Sequence, residues 1–358
     1  MVHTDNPPPY FPVGPAWWGA VMGTGIASTL TQLHAGQTTF GADLARIFFV
    51  TSWVLLVILT VGFAVRCSRN PAAWRLSLQG VGASAWGMVS MGVLSVGSAT
   101  ATVIPIWAPN FATMSWWVDG ALWVIGTSIG LLTTFGFSIA LIRYRHAEPR
   151  PAWGLAVVPP MVSATCGAPF ISKLESPISA VTLLAFVIFC FVCSLVLGTV
   201  IFAAAYHYHA YVDRIPVALS ASSWIPLGVV GQSTAAAQAI SGQMNRFAQP
   251  EAMNGIHTVA NIYGIVMLCV AIPVVVFAVT TTIFGAMNRM PFSPGWWALT
   301  FPVGTLSLGS LNLGHSLGSS GFSAVGTGAW ILLLGTWTVC AFGSLRHISR
   351  KSSTMPAS

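Results

Sequence analysis

Apolar runs of roughly 20 residues recur along this chain from near Trp17 to near Leu345, each long enough to cross a hydrocarbon core of about 30 Å as a helix. Backbone in lipid must satisfy its own N–H and C=O groups, so such runs fold as helices. Composition agrees: 55% of the 358 residues are hydrophobic, 6% are charged, and mean hydropathy is +0.77. No water-soluble surface is built from so few charges. The chain therefore reads as an all-α integral membrane protein. Ten spans are expected near 15–33, 42–65, 79–101, 117–142, 152–167, 178–206, 217–242, 256–287, 294–316 and 322–345. They form one transmembrane domain, 15–345, between short tails, 1–14 and 346–358. The start, "MVHTDNPPPYFPVGP", has neither the basic segment nor the small-residue cleavage site of a signal peptide, so the first run is expected to remain as a helix.

Charge orients the spans. Of 14 Lys and Arg, all but Arg46, Lys173 and Arg246 fall on connections that the expected topology puts on one side, Arg145 among them. The positive-inside rule makes that side cytoplasmic, so both tails are cytoplasmic and the protein is expected to be multi-pass in the cell (plasma) membrane. The net charge of +7 is then a topology signal and a contact for anionic lipid, with no nucleic acid implied. Of six cysteines, Cys190, Cys193, Cys269 and Cys340 sit inside apolar runs and read as buried small hydrophobes. No cofactor or metal is expected.

The odd-numbered spans are rich in Gly, Ser and Thr, as in "GAVMGTGIAST" and "FPVGTLSLGSLNLGHS", whereas the even ones are bulky and aliphatic. Small residues allow close packing or line a wet cavity, and bulky ones face lipid. Five tandem helical hairpins follow, with odd helices around a central pore and even helices outside. About eight residues into each odd span stands a helix-weakening element: Gly23 and Gly25, Gly87, Pro160, Pro226 and Pro302. Helix N-termini exposed at such breaks bind anions without any Lys or Arg. Between them lie hydroxyls and amides that read as pore lining: Thr24, Ser28, Ser163, Gln232, Ser233, Thr305 and Asn312. His315, near the outer end of the ninth span, is a candidate pH-sensing residue. Asp119 reads as the outer start of the fourth span. Trp17, Trp18, Trp116, Trp117, Trp296 and Trp297 read as interfacial anchors.

"PAWWGAVMGTGIAS", "VPPMVSATCGAP", "WIPLGVVGQS" and "GWWALTFPVGT" together resemble the tellurite-resistance/dicarboxylate transporter family, in its malate permease and sulfite pump branch, related to the slow anion channels of plants. The resemblance runs from Pro12 to about Arg346. It implies five helical hairpins, a homotrimer with one pore per subunit, and a phenylalanine of the ninth span plugging that pore. The matching residue is Phe301. The expected function is passage of a small inorganic or organic anion, a C4-dicarboxylate such as malate or else sulfite, through a hydroxyl-lined pore gated by Phe301. The alternative is a proton-coupled anion or tellurite/sulfite exporter. A remote one is a membrane metalloenzyme using His207 and His209.

Overall fold

The computed structural model describes residues 14–143 and 148–353. Asp5 and Arg145, as well as residues 1–13 of the expected N-terminal tail, lie outside them. The described residues contain no strand. Their α-helices are α1 (Trp18–Ala35), α2 (Thr39–Arg69), α3 (Pro71–Ser77), α4 (Trp86–Trp107), α5 (Ala112–Arg143), α6 (Gly154–Val157), α7 (Pro159–Gly167), α8 (Pro177–Tyr211), α9 (Ile225–Gln243), α10 (Pro250–Met287), α11 (Phe301–Leu317) and α12 (Ser320–Ser353). The last continues as helix into the expected C-terminal tail.

Local chemistry sets the ends. Thr38 caps α2 by accepting from the Gly41 N–H at 3.0 Å, and Asn70 caps α3 by accepting from the Ala72 N–H at 3.1 Å. α8 begins with Ser176 as cap and Pro177 as first residue, where a missing N–H costs nothing. α11 ends at Gly318, whose φ of +61° is left-handed. Its N–H bonds the His315 carbonyl and the Ser319 N–H the Gly314 carbonyl, closing a Schellman turn into α12.

α1 packs on α4, α4 on α7, α7 on α9, α9 on α11 and α11 on α1, so these five close a ring. The other long helices lie outside, each against the ring helix before it and the one after. Thus α2 touches α1 and α4, α5 touches α4 and α7, α8 touches α7 and α9, α10 touches α9 and α11, and α12 touches α11 and α1. Glycines set the inner spacing. A Cβ on Gly25 would stand 2.8 Å from Ser95 of α4, and one on Gly309 2.5 Å from the Gly231 carbonyl oxygen of α9.

Six helical stretches, those of α2, α4, α5, α8, α10 and α12, are long and apolar enough to cross a membrane. A seventh is the pair Pro151–Val157 and Pro159–Lys173, bent by 41°. Ten spans of that kind were expected; α1, α9 and α11 do not reach the same hydropathy. The reason is enclosure: every residue of α1 from Trp18 to Gln32 is buried by protein, so these helices need no lipid-compatible surface. By contrast, only 17–33% of the apolar windows of α2, α5, α8, α10 and α12 is buried, which makes those five the lipid-facing layer.

Each ring helix is entered through a 3-10 turn: Pro15–Trp17, Gly80–Ala85, Pro151–Trp153 ahead of α6 and α7, Val217–Trp224, and Pro294–Leu299. Gly87, Pro160, Pro226 and Pro302 are the second residues of α4, α7, α9 and α11, so Gly87, Pro226 and Pro302 mark a 3-10 to α transition and Pro160 the bend between α6 and α7. Gly23 and Gly25 differ from expectation, because α1 passes through both without a break. Their missing side chains instead admit Thr300 and Ser95. Trp17, Trp18 and Trp297 are buried within the protein. Tryptophans tie neighbouring helices together: Trp297 donates to Ser344 at 3.1 Å, Trp224 to Thr282 at 2.8 Å and Trp337 to Thr24 at 2.9 Å.

Candidate functional site

The ring encloses a cavity of about 220 Å³ to which all five of its helices contribute. α1 supplies Ile26 to Leu33, α4 Ser95 to Thr102, α7 Val162 to Cys166, and α9 Gln232 and Ala239. These all come from beyond the first turn of their helices. From α11 come Phe301, Leu308 and Asn312. Phe301 is the exception in register, being the first residue of its helix, so it forms the cavity floor. Asn312 stands about 16 Å further along at 1.5 Å per residue.

Past that floor the ring is filled by apolar side chains. Met22, Met88, Met91 and Leu227 are each at most 2% exposed, and Phe301 itself is 3% exposed. Phe301 therefore stands between the cavity and a packed half, inside the helix rather than unwound from it. Thr300 marks the transition, its N–H bonded to Trp297 and its carbonyl to the Gly304 N–H.

The wall carries no Lys, Arg or His. Thr29, Ser95, Thr102 and Thr165 line it, but each hydroxyl donates to a carbonyl one turn back, at 3.3, 2.7, 2.7 and 3.1 Å. Their remaining lone pairs accept, so donors for an anion come from the amides of Gln232 and Asn312, with the Trp116 indole and the Ser98 hydroxyl also on the wall. The Gln232 Oε1 is buried without a partner among the described residues, but that oxygen only accepts, so a contact with an anion falls to the Nε2 N–H groups. Helix N–H groups point towards the N-terminus and hence away from this cavity, so the backbone donors expected at the breaks do not line it.

Of the residues expected to line a pore, Gln232 and Asn312 are in this wall and the other five are not. Thr24 bonds the Ala20 carbonyl and accepts from Trp337, and Ser28 reaches the Ala45 carbonyl of α2. Ser163 accepts from Thr127, Ser233 bonds the Val230 carbonyl, and Thr305 the Pro302 carbonyl. They are packing hydroxyls. His315 is exposed in the last turn of α11, outside the cavity. Nearby His34 bridges to Ser307 at 3.1 Å and stacks on Trp330. His207 and His209 lie in the last turns of α8, with the His209 Nδ1 donating to the Asp213 carbonyl.

The residue that sequence reasoning misplaced is Asp119. α5 begins at Ala112, so Asp119 lies two turns inside it, 4% exposed, on the cavity wall. The available signal was a single acid within the run 112–143, with no other acid and no base before Arg143.

Known proteins give this geometry its context. The chain is 24% identical to the sulfite efflux pump SSU1 of Arthroderma benhamiae over 91% of this chain and 88% of that protein. It is 25% identical to the same-named pump of Arthroderma otae and 23% to that of Trichophyton rubrum, with the same coverage. This agrees with the resemblance to the sulfite pump branch. A family profile described as voltage-dependent anion channel matches residues 12–345. Because the match takes in the whole ring, its outer layer and the cavity, the chain belongs to the voltage-dependent anion channel family.

Proposed function

We propose that this protein passes a small anion, sulfite or a C4-dicarboxylate, across the plasma membrane through the cavity within the helix ring, with Phe301 as the gate. Membership of the family makes the chain a membrane anion channel or transporter rather than an enzyme, which sets aside the metalloenzyme reading. The observation that carries the proposal is the cavity itself. All five ring helices line it, it offers amide donors without a cation to trap the ion, and a buried aromatic ring floors it. In this reading the chain crosses the membrane ten times as five hairpins, since each ring helix with its 3-10 lead-in is long enough to span. Both ends are cytoplasmic by the distribution of Lys and Arg. The resemblance supports a homotrimer, in keeping with a pathway enclosed by one chain. Sulfite heads the list because the relatives bear the name sulfite efflux pump.

The test is a flux panel in proteoliposomes comparing sulfite, malate, nitrate, chloride and tellurite. Transport driven by membrane potential alone is the expected result; transport that needs an imposed proton gradient at zero potential would favour the proton-coupled exporter. Gln232→Leu, which keeps the volume but removes the amide, is expected to weaken the half-saturating concentration of the favoured anion roughly tenfold, about the value of one hydrogen bond to a charge. An unchanged concentration dependence would remove Gln232 from the pathway.

A further inference from the structure

Asp119 is out of keeping with an anion cavity. A carboxylate on the wall repels an anion, and among the described residues it forms no salt bridge. Its side chain is 4% exposed, and its Oδ1 has no hydrogen-bond partner among the described residues. Gly97 of α4 lies directly behind it, and a methyl there would collide with the carboxyl oxygen, so the fold makes room for this group. The elements packed here bring few ionisable neighbours. α4 contains none. α7 brings the Cys166 thiol, and the 3-10 turn after it brings Lys173, whose Nζ sits 4.6 Å from the Trp116 ring centroid. Across the cavity, the lining residues of α1, α9 and α11 are all non-ionisable.

We propose that Asp119 is a proton-operated charge switch for the cavity. Resting on the reading of the cavity as the anion pathway, this says that the anion is held when the carboxyl is protonated and rejected when it is ionised. Protonated, the group is neutral and its O–H donates to an anion oxygen or halide, a further donor beside the amides of Gln232 and Asn312. Ionised, it sets a negative charge within a few ångströms of the occupant in a wall largely of apolar side chains, where like charges repel strongly. The balance is simple: one proton arrives from water and binds the carboxylate as one anion enters, it stays on Asp119 while the anion moves on, and no covalent bond changes. Linkage then requires that anion affinity fall by up to about tenfold per pH unit once the carboxyl ionises, and that anion binding draw a proton onto the protein.

The experiment uses nitrate, whose charge does not change between pH 4 and 9, so that any pH dependence belongs to the protein. Nitrate flux into proteoliposomes is measured across that range for the wild type, Asp119→Asn and Phe301→Ala. The wild type is expected to gain flux as pH falls, by up to about tenfold per unit, and to reach a plateau. Asp119→Asn, neutral at every pH and nearly isosteric, is expected to give a flat profile near that plateau. An Asp119→Asn profile that rises and falls like the wild type would overturn the switch. If that variant does not fold, nitrate-dependent stabilisation of the purified wild type replaces it. An apparent affinity that weakens with rising pH, with proton uptake on nitrate addition, supports the switch, and a pH-independent affinity rejects it. If neither the wild type nor Phe301→Ala passes nitrate, chloride or sulfite, the reading of the cavity as a pathway fails; if they do and Asp119→Asn changes nothing, only the switch fails.

Discussion

Phe301→Ala is expected to raise anion flux at least about tenfold, a change of only ~1.4 kcal/mol in the barrier. The ring it removes is 3% exposed and floors the cavity, with a packed apolar half behind it. An anion arriving there loses its hydration and meets hydrocarbon, which blocks conduction by bulk and by dewetting. Truncation leaves a void continuous with the existing cavity, wide enough for water to follow. The same change also removes a buried aromatic from the core, which in soluble proteins costs about 3–5 kcal/mol, so the variant should melt earlier while conducting more. Phe301→Leu should fall between the two in flux. Single-channel or liposome recordings showing wild-type conductance for a folded Phe301→Ala would remove the gate.

The largest loss of stability should come from Gly231→Val. A Cβ at this position would stand 2.5 Å from the Thr305 carbonyl carbon and 2.6 Å from its oxygen. These are backbone atoms of α11 and cannot swing aside, and the next turn brings the reciprocal contact of Gly309 with the Gly231 carbonyl. α9 and α11 would have to separate, at a cost at or above the roughly 3 kcal/mol upper end of ordinary overpacking. The expected readout is loss of the monodisperse peak on detergent chromatography, or a much lower melting temperature. Gly335→Ala is the control. Nothing lies within 4 Å of that site, so it should be neutral or stabilise the helix by about 0.5–1 kcal/mol. Equal damage from both would mean that glycine packing between α9 and α11 is not what closes the ring.

Much of the scaffold was legible because it rests on composition and punctuation. The apolar runs fall on helices, and Pro160, Pro226 and Pro302 mark real transitions because proline costs no hydrogen bond in the first turn of a helix, although Pro105 and Pro273 are carried inside α4 and α10. The wall of the cavity was harder to read. A helix buried on every side, such as α1, has no polar face to betray its direction, so Thr24 and Ser28 looked as well placed as Thr29. Only the packed structure distinguishes a hydroxyl bonded to α2 or Trp337 from one facing the void. Gln232 and Asn312, named with those hydroxyls as one polar set, are the two of that set that lie on the cavity wall. Asp119 was missed through a boundary error of five residues at the start of α5, enough to move a carboxylate from the membrane surface into the protein.

The lopsided ring, open along one half and packed below Phe301, has an electrical consequence. In the proposed orientation the cavity belongs to the outer half, and a water-filled cavity carries the potential of the bath down to its floor. Most of the membrane voltage then falls across the short apolar plug. An ion leaving the cavity for the cytoplasm would cross nearly the whole of it in one step, worth about 2.3 kcal/mol per charge per 100 mV. Asp119, sitting above the plug, would feel almost none of that field. Its protonation would report the acidity of the outer solution, while the membrane potential acts on the ion at Phe301.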